Sequence, residues 1–402
     1  MWLAAPAASG KGGGPTASPA RRWSGKPRSI ALFAVSLLCA PLTQADDFEG
    51  VFHRAKLSEV DAAIEKAIAE RKCPGGVIWI EHRGVAYHRA YGSRALEPQR
   101  EPTSEDTIFD AASLTKVTAT TPAMLLLIER GAIELDAPVS RYWPDFAAHG
   151  KEAITIRHLL THSSGLRPGV GPGAQGRDAV LAQVCGETPT TTPGTKFRYS
   201  DINFITLGEV VQRAAGRPLE EFCGTEIFAP LAMRDTMYRP AAEVLRRVAP
   251  TERGTPRGTV HDPTSRRMGG VAGHAGLFTT ASDLARYARM LLHEGELDGV
   301  RLFKPETVRL MIGTQSPDAV WETRGLGWDI DSPYAGPRGG RFPLVSYGHT
   351  GWTGGSLWID PWSQTFVVFL SNRNHPTEAG NVLPLRRLLG TLAAEALVDA
   401  PE

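Results

Sequence analysis

The feature that most constrains the fold is the placement of β-rich runs at both ends of a chain whose middle reads as helical. On the amino side, Val77-Ile78-Trp79-Ile80 and Val85-Ala86-Tyr87 flank Arg83-Gly84 and read as a hairpin. Thr107-Ile108-Phe109 is a short extended piece leading to Asp110. On the carboxyl side, β-rich runs fall around Leu326-Gly327-Trp328, over 354–359 and over 365–370. Helical periodicity marks 56–72, where Leu57, Val60, Ala63, Ile64, Ala67 and Ile68 recur, with Ser58 and Asp61 as its capping box. Further helices are expected from Ser113 to about Arg130, over 156–162, over 204–215, over 281–292 with Ser282 as cap, and over 382–398. This order predicts an α/β (α+β) fold: one antiparallel sheet built from both chain ends, flanked by helices, with a mostly helical lobe inserted. The sheet lobe would comprise 46–136 and 269–402 and the helical lobe 137–268, with a cleft at their seam.

Composition narrows the function classes. The chain has 402 residues and a formal net charge of +1, with no cluster of Lys and Arg that could track phosphates, so nucleic acid is not an expected partner. The first 45 residues read as an address. Basic residues (Lys11, Arg21, Arg22, Lys26, Arg28) precede an apolar run over 30–40, and Thr43-Gln44-Ala45 precedes Asp46. These are the parts of a cleaved secretory signal, and the run is too short to span a bilayer. The expectation is a secreted, periplasmic mature chain over 46–402 with no stable membrane span. Arg21-Arg22 fits a twin-arginine route poorly, and Cys39 after Leu38 fits a lipoprotein site poorly. Cys73, Cys185 and Cys223 show no paired spacing; one bridge plus one free thiol is an open alternative.

Three short motifs carry the chemistry. Ser113-Leu114-Thr115-Lys116 puts a hydroxyl and an ammonium three apart at a helix start, on one face, where the amine can help the hydroxyl lose its proton. With 21 serines and 9 lysines, that spacing arises by chance roughly once in two such chains. Tyr199-Ser200-Asp201 and His349-Thr350-Gly351 follow in order, each once, and together the three are far less probable.

The three motifs resemble those of the serine β-lactamase and penicillin-binding superfamily, in particular the branch with class C β-lactamases, D-Ala-D-Ala peptidases and related esterases. Residues 156–166 (Ile-Arg-His-Leu-Leu-Thr-His-Ser-Ser-Gly-Leu) and Trp352-Thr353-Gly354-Gly355 extend the likeness, which covers the chain from about Lys56 onward. The resemblance implies that Ser113 is the nucleophile and forms an acyl-enzyme, that Lys116 lowers the proton affinity of its neighbours, and that Tyr199 is the general base. A phenol, ordinarily titrating at about 10, can do this near neutrality only where cations stabilise its phenolate. It further implies an oxyanion hole from the N–H groups of Ser113 and Trp352, and a substrate-binding wall of Asp201, His349, Thr350 and Gly351. No cofactor or metal is implied.

This chain departs from the pattern twice. His349 stands where lysine is usual, and a histidine is mostly neutral at neutral pH, so weak turnover of carboxylate-bearing β-lactams is expected. Asp201 stands where asparagine is usual; an ionised carboxylate only accepts, which favours substrates offering amide or ammonium donors, and Asn203 is a candidate for the missing amide. Residues 258–262 (Gly-Thr-Val-His-Asp) and the glycine-rich 269–278 resemble a subgroup linked to cell-wall peptide hydrolysis, the latter expected to line the cleft with backbone donors.

His158 and His162 have metal-ligand spacing but no intervening glutamate, and are read as structural. His261, Asp262 and His274 are read as loop-fixing residues, and Trp321, Trp328, Trp352, Trp358 and Trp362 as core and cleft wall. The expected enzyme is a cofactor-free serine hydrolase acting on cell-wall peptides, of carboxypeptidase or muropeptide amidase type. The alternatives are a small-ester hydrolase of the same fold and a non-catalytic scaffold.

Overall fold

The computed structural model describes residues 44–398; the expected signal segment lies outside the described residues apart from its last two positions. Eight strands form the main sheet: β1 Gly75–His82, β2 Val85–Ala95, β3 Glu101–Pro102, β4 Thr323–Arg324, β5 Asp329–Asp331, β6 Tyr347–Thr350, β7 Ser356–Asp360 and β8 Thr365–Ser371. Their spatial order is β3-β2-β1-β8-β7-β6-β5-β4, and every pairing is antiparallel. The sheet is closed by β1 against β8, with Val77 opposite Leu370 and Ile80 opposite Val367. The two chain ends thus meet at the centre of one sheet, as the sequence pattern implied.

Alternation along these strands explains the layers, because successive side chains leave opposite faces. Ile78, Ile80, Trp358, Val367 and Phe369 pack on the terminal helices Arg54–Ala69 and Leu383–Glu395. Val77, Leu357, Ile359, Phe366, Val368 and Leu370 join a second cluster with Leu284 and Tyr287 of the helix Ala281–Leu292. That cluster continues without a break into Leu159, Phe204, Leu207 and Leu231 of the intervening helical region. Among the described residues no helix is long and apolar enough to cross a membrane.

Several local expectations need correction. The helix Arg54–Ala69 is preceded by His53 and has no side-chain cap; Ser58 lies inside it and donates to the Arg54 carbonyl. The helix Ala281–Leu292 is capped by Thr280, whose hydroxyl accepts from the Asp283 N–H, not by Ser282. Residues 326–328 are the turn between β4 and β5, not a strand. Of the five carboxyl-side tryptophans, only Trp328 and Trp358 are core; Trp321, Trp352 and Trp362 are exposed. Cys73, Cys185 and Cys223 are all free thiols, and burial pushes the Cys73 thiol up to about 11.

Candidate active site

Ser113 follows a strained residue. Ala112 takes the left-handed φ of 46°, and its N–H is held by the Asp110 carboxylate at 2.8 Å. The chain then enters a π-helical turn, Lys116–Thr120, before the α-helix Thr121–Glu129. Ahead of it the Lys116 N–H donates to the Ser113 carbonyl at 3.1 Å, which keeps the two residues on one face, and Lys116 Nζ donates to Ser113 Oγ at 3.0 Å. Ser113 is half-buried, whereas Lys116 is completely buried.

A buried ammonium needs partners. Lys116 Nζ also donates to the His274 carbonyl at 3.1 Å and lies 2.7 Å from Asp201 Oδ1. It stands 5.0 Å from the centroid of the Tyr199 ring and 5.7 Å from that of Phe204. Burial works to lower its pKa, but Asp201 and Tyr199 outweigh it and the net direction is upward, so Lys116 stays charged.

Tyr199 reaches this point because of the 156–166 segment. Thr155 caps the helix Ile156–Leu160 in a reciprocal box with His158, whose Nδ1 accepts from the Thr155 N–H. The His162 carbonyl accepts from the Arg198 N–H at 2.8 Å, and its Nδ1 accepts from the Ser200 N–H at 3.1 Å. The imidazole therefore carries its proton on Nε2 and lies 4.4 Å, centroid to centroid, beneath the Tyr199 ring. Asn203 is fully buried and spends its side chain on Ser164 and His162, so it offers no amide to the cleft. Both histidines of this segment act as scaffold for the tyrosine.

The third motif closes the site. His349 and Thr350 end β6 and Gly351 follows it; a Cβ at Gly351 would lie 2.5 Å from the Ala111 carbonyl, a distance real side chains do not reach. Only glycine lets this strand end come so close to the nucleophile's backbone. Arg386 donates to the Gly351 and Gly355 carbonyls, and Arg373 to that of Trp352, which fixes the turn. Among the described residues, neither the Ser113 nor the Trp352 N–H is engaged by a protein acceptor. The Trp352 ring is 60% exposed at the mouth, with the Arg373 guanidinium 4.6 Å from its centroid.

His349 is buried, its ring 6.0 Å from that of Tyr199. Burial first, then the charges of Arg324 and Lys116, push its pKa well below the ordinary value, so it is neutral. The same causes, with His349 added, act on His162. Arg324 was not singled out from sequence. It is wholly buried, bonded to the Gly327 carbonyl at 3.0 Å and 3.5 Å from Asp329. Tyr334, 5.1 Å from Tyr199 between ring centroids, also escaped notice because its stretch has no periodicity.

The glycine-rich segment contributes acceptors, not the donors expected of it. The Gly273 and His274 carbonyls receive the Thr120 hydroxyl and the Lys116 ammonium. A Cβ at Gly273 would sit 2.1 Å from the Phe204 carbonyl, so glycine is needed for this approach. Asp201, Asp262 and His274 bring ligand atoms within 4.8 Å of one another. A metal ion among them would face the Lys116 ammonium 2.7 Å from Asp201, which already answers their negative charge.

The chain matches the Beta-lactamase family over residues 60–391. It is 30% identical over 376 residues to the "Putative D-alanyl-D-alanine carboxypeptidase" of Escherichia coli K12, covering 83% of this chain and 86% of that protein. It is 31% identical over 382 residues to the N-acetylmuramyl-L-alanine amidase of Bacillus subtilis, covering 82% and 85%. Its fold superimposes on a class C β-lactamase with a TM-score of 0.71 at 20% identity, over 87% of this chain and 98% of that one. With the fold and the juxtaposed serine, lysine and tyrosine, these likenesses mean that the chain belongs to the β-lactamase family and is a serine hydrolase.

Proposed function

We propose that this hydrolase works through an acyl-enzyme on Ser113 and cleaves cell-wall peptide amides, of the D-Ala-D-Ala carboxypeptidase or muropeptide amidase type. Ser113 Oγ attacks the carbonyl carbon as its proton passes to the Tyr199 phenolate, which the Lys116 ammonium stabilises. The N–H groups of Ser113 and Trp352 receive the oxyanion. Tyr199 returns the proton to the leaving nitrogen as the C–N bond breaks. Water then hydrolyses the Ser113 ester, releasing the acid and restoring the hydroxyl. Asp201, one-third exposed, turns a carboxylate toward donors on the acyl part of the substrate. The observation that carries this reading is the 3.0 Å contact of Lys116 Nζ with Ser113 Oγ beside the Tyr199 ring. The relatives named for cell-wall activities support both the substrate class and an extracytoplasmic location.

The neutrality of His349 favours a second reading within the same chemistry, a small-ester hydrolase, because no charged side chain of the third motif holds a substrate carboxylate. Release of D-alanine from a muramyl pentapeptide, measured beside hydrolysis of a short-chain nitrophenyl ester, separates the two. Peptide turnover exceeding ester turnover in kcat/KM is expected; ester turnover with an inert peptide overturns the peptidase reading.

A further inference from the structure

Two segments that the chemistry above leaves unused, 258–262 and 269–278, converge on Lys116. Asp262 caps the short helix Pro263–Arg267, its Oδ1 accepting the Ser265 N–H at 2.7 Å and lying 2.9 Å from His274 Nε2. His274 is 1% exposed, and its own main-chain carbonyl is the one that receives the Lys116 ammonium at 3.1 Å. Its remaining ring nitrogen, Nδ1, is buried without a partner among the described residues. A buried unpaired nitrogen is unfavourable, so the bond of the other ring nitrogen to Asp262 is what holds an imidazole here.

We propose that Asp262, acting through His274, is a positioning residue for Lys116: the imidazole–carboxylate bond pins the main chain at 274 so that its carbonyl aims at the ammonium, and the carboxylate is a second countercharge beside Asp201. The groups facing Lys116 support this division. Ser113 lies on its own segment, Tyr199 and Asp201 come from the start of the helix Asp201–Ala215 and the loop before it, and the His274 carbonyl comes from the glycine-rich loop. His162 and His349, which also sense its charge, are neutral. Asp201 and Asp262 are two carboxylates that interact with it, alongside the Tyr199 phenolate of the proposed mechanism. Burial would raise the Asp262 pKa, but His274, the Ser265 N–H and Lys116 outweigh it and hold the carboxyl well below the usual range.

The inference rests on the Ser113 acylation chemistry proposed above. Its test is single-turnover acylation by a nitrophenyl ester, from about pH 6 to about pH 12 so that the window extends past the raised Lys116 value, in the wild type and in D262N, H274Q and H274A. D262N is expected to acylate about 10- to 100-fold more slowly. Its alkaline limb, where loss of the Lys116 proton ends acylation, is expected at lower pH, because the ammonium has lost a countercharge. H274Q, whose amide can still donate to Asp262, is expected to outperform H274A. A wild-type rate and limb in D262N would overturn the proposal. So would a slow D262N with an unmoved limb and no advantage of H274Q over H274A. If D262N does not fold, the H274Q and H274A rates and limbs decide by the same criteria. A wild type that S113A matches in acylation defeats the underlying chemistry instead.

Discussion

Lys116 and Asp201 form an ion pair at 2.7 Å in which the cation is wholly buried and the anion one-third exposed. The pair holds the Lys116 pKa above its ordinary value against the opposing effect of burial. A raised folded pKa stabilises the fold fully below the unfolded value, about 10.4 for lysine, and that contribution is lost as pH rises through the folded value. The D201N variant is therefore expected to lose about 1–3 kcal/mol, less than for a fully buried pair because Asp201 is partly solvated. Thermal unfolding followed from neutral to strongly alkaline pH should show the deficit at neutrality and its disappearance at the alkaline end.

Tyr199 is held from behind by His162 and faces Lys116, so its hydroxyl can be removed without disturbing the packing. The Y199F variant is expected to lower acylation by about 10²- to 10⁴-fold while its melting temperature stays within a few degrees of the wild type. Stopped-flow ester acylation and calorimetry on the same preparation check both halves.

His162 and His349 are buried and neutral, with pKa values driven down by burial and then by Arg324 and Lys116. In the unfolded chain both would take up protons below about 6.5, so stability should fall as pH drops through that value. The slope contributed is at most about 1.4 kcal/mol per pH unit for each histidine. Melting temperatures between about pH 7 and about pH 5 should fall for the wild type and fall less steeply for H349Q.

Replacing His349 by the lysine usual at this position tests the expected weakness toward β-lactams. H349K should raise the rate of penicillin acylation and lower stability by about 1–3 kcal/mol, since the new cation is buried near Arg324 and Lys116. Unchanged penicillin kinetics in a folded H349K would show that the histidine is not what limits this substrate.

What was legible in the sequence depended on local chemistry. The sheet from both chain ends followed from strand alternation, and Ser113, Lys116, Tyr199 and His349 came from short motifs that the fold brings together. Arg324 and Tyr334 were not legible, because nothing local marks a buried arginine 25 residues before the third motif as a neighbour of His349. Asp262 and His274 were noticed but not paired, since their bond exists only once two loops fold against each other. The cap at Thr280 was missed by two residues because Ser282 is equally suited chemically; in the fold the two hydroxyls lie 3.0 Å apart and only Thr280 reaches the Asp283 N–H.

Ser113 Oγ is, on this account, the nucleophile that takes the acyl group. Intact-protein mass spectrometry after incubation with a fluorophosphonate probe, followed by peptide mapping, tests it most directly. One stoichiometric adduct on Ser113, absent from S113A, is the predicted result. An unmodified wild type, or an adduct that persists in S113A at another side chain, would contradict it.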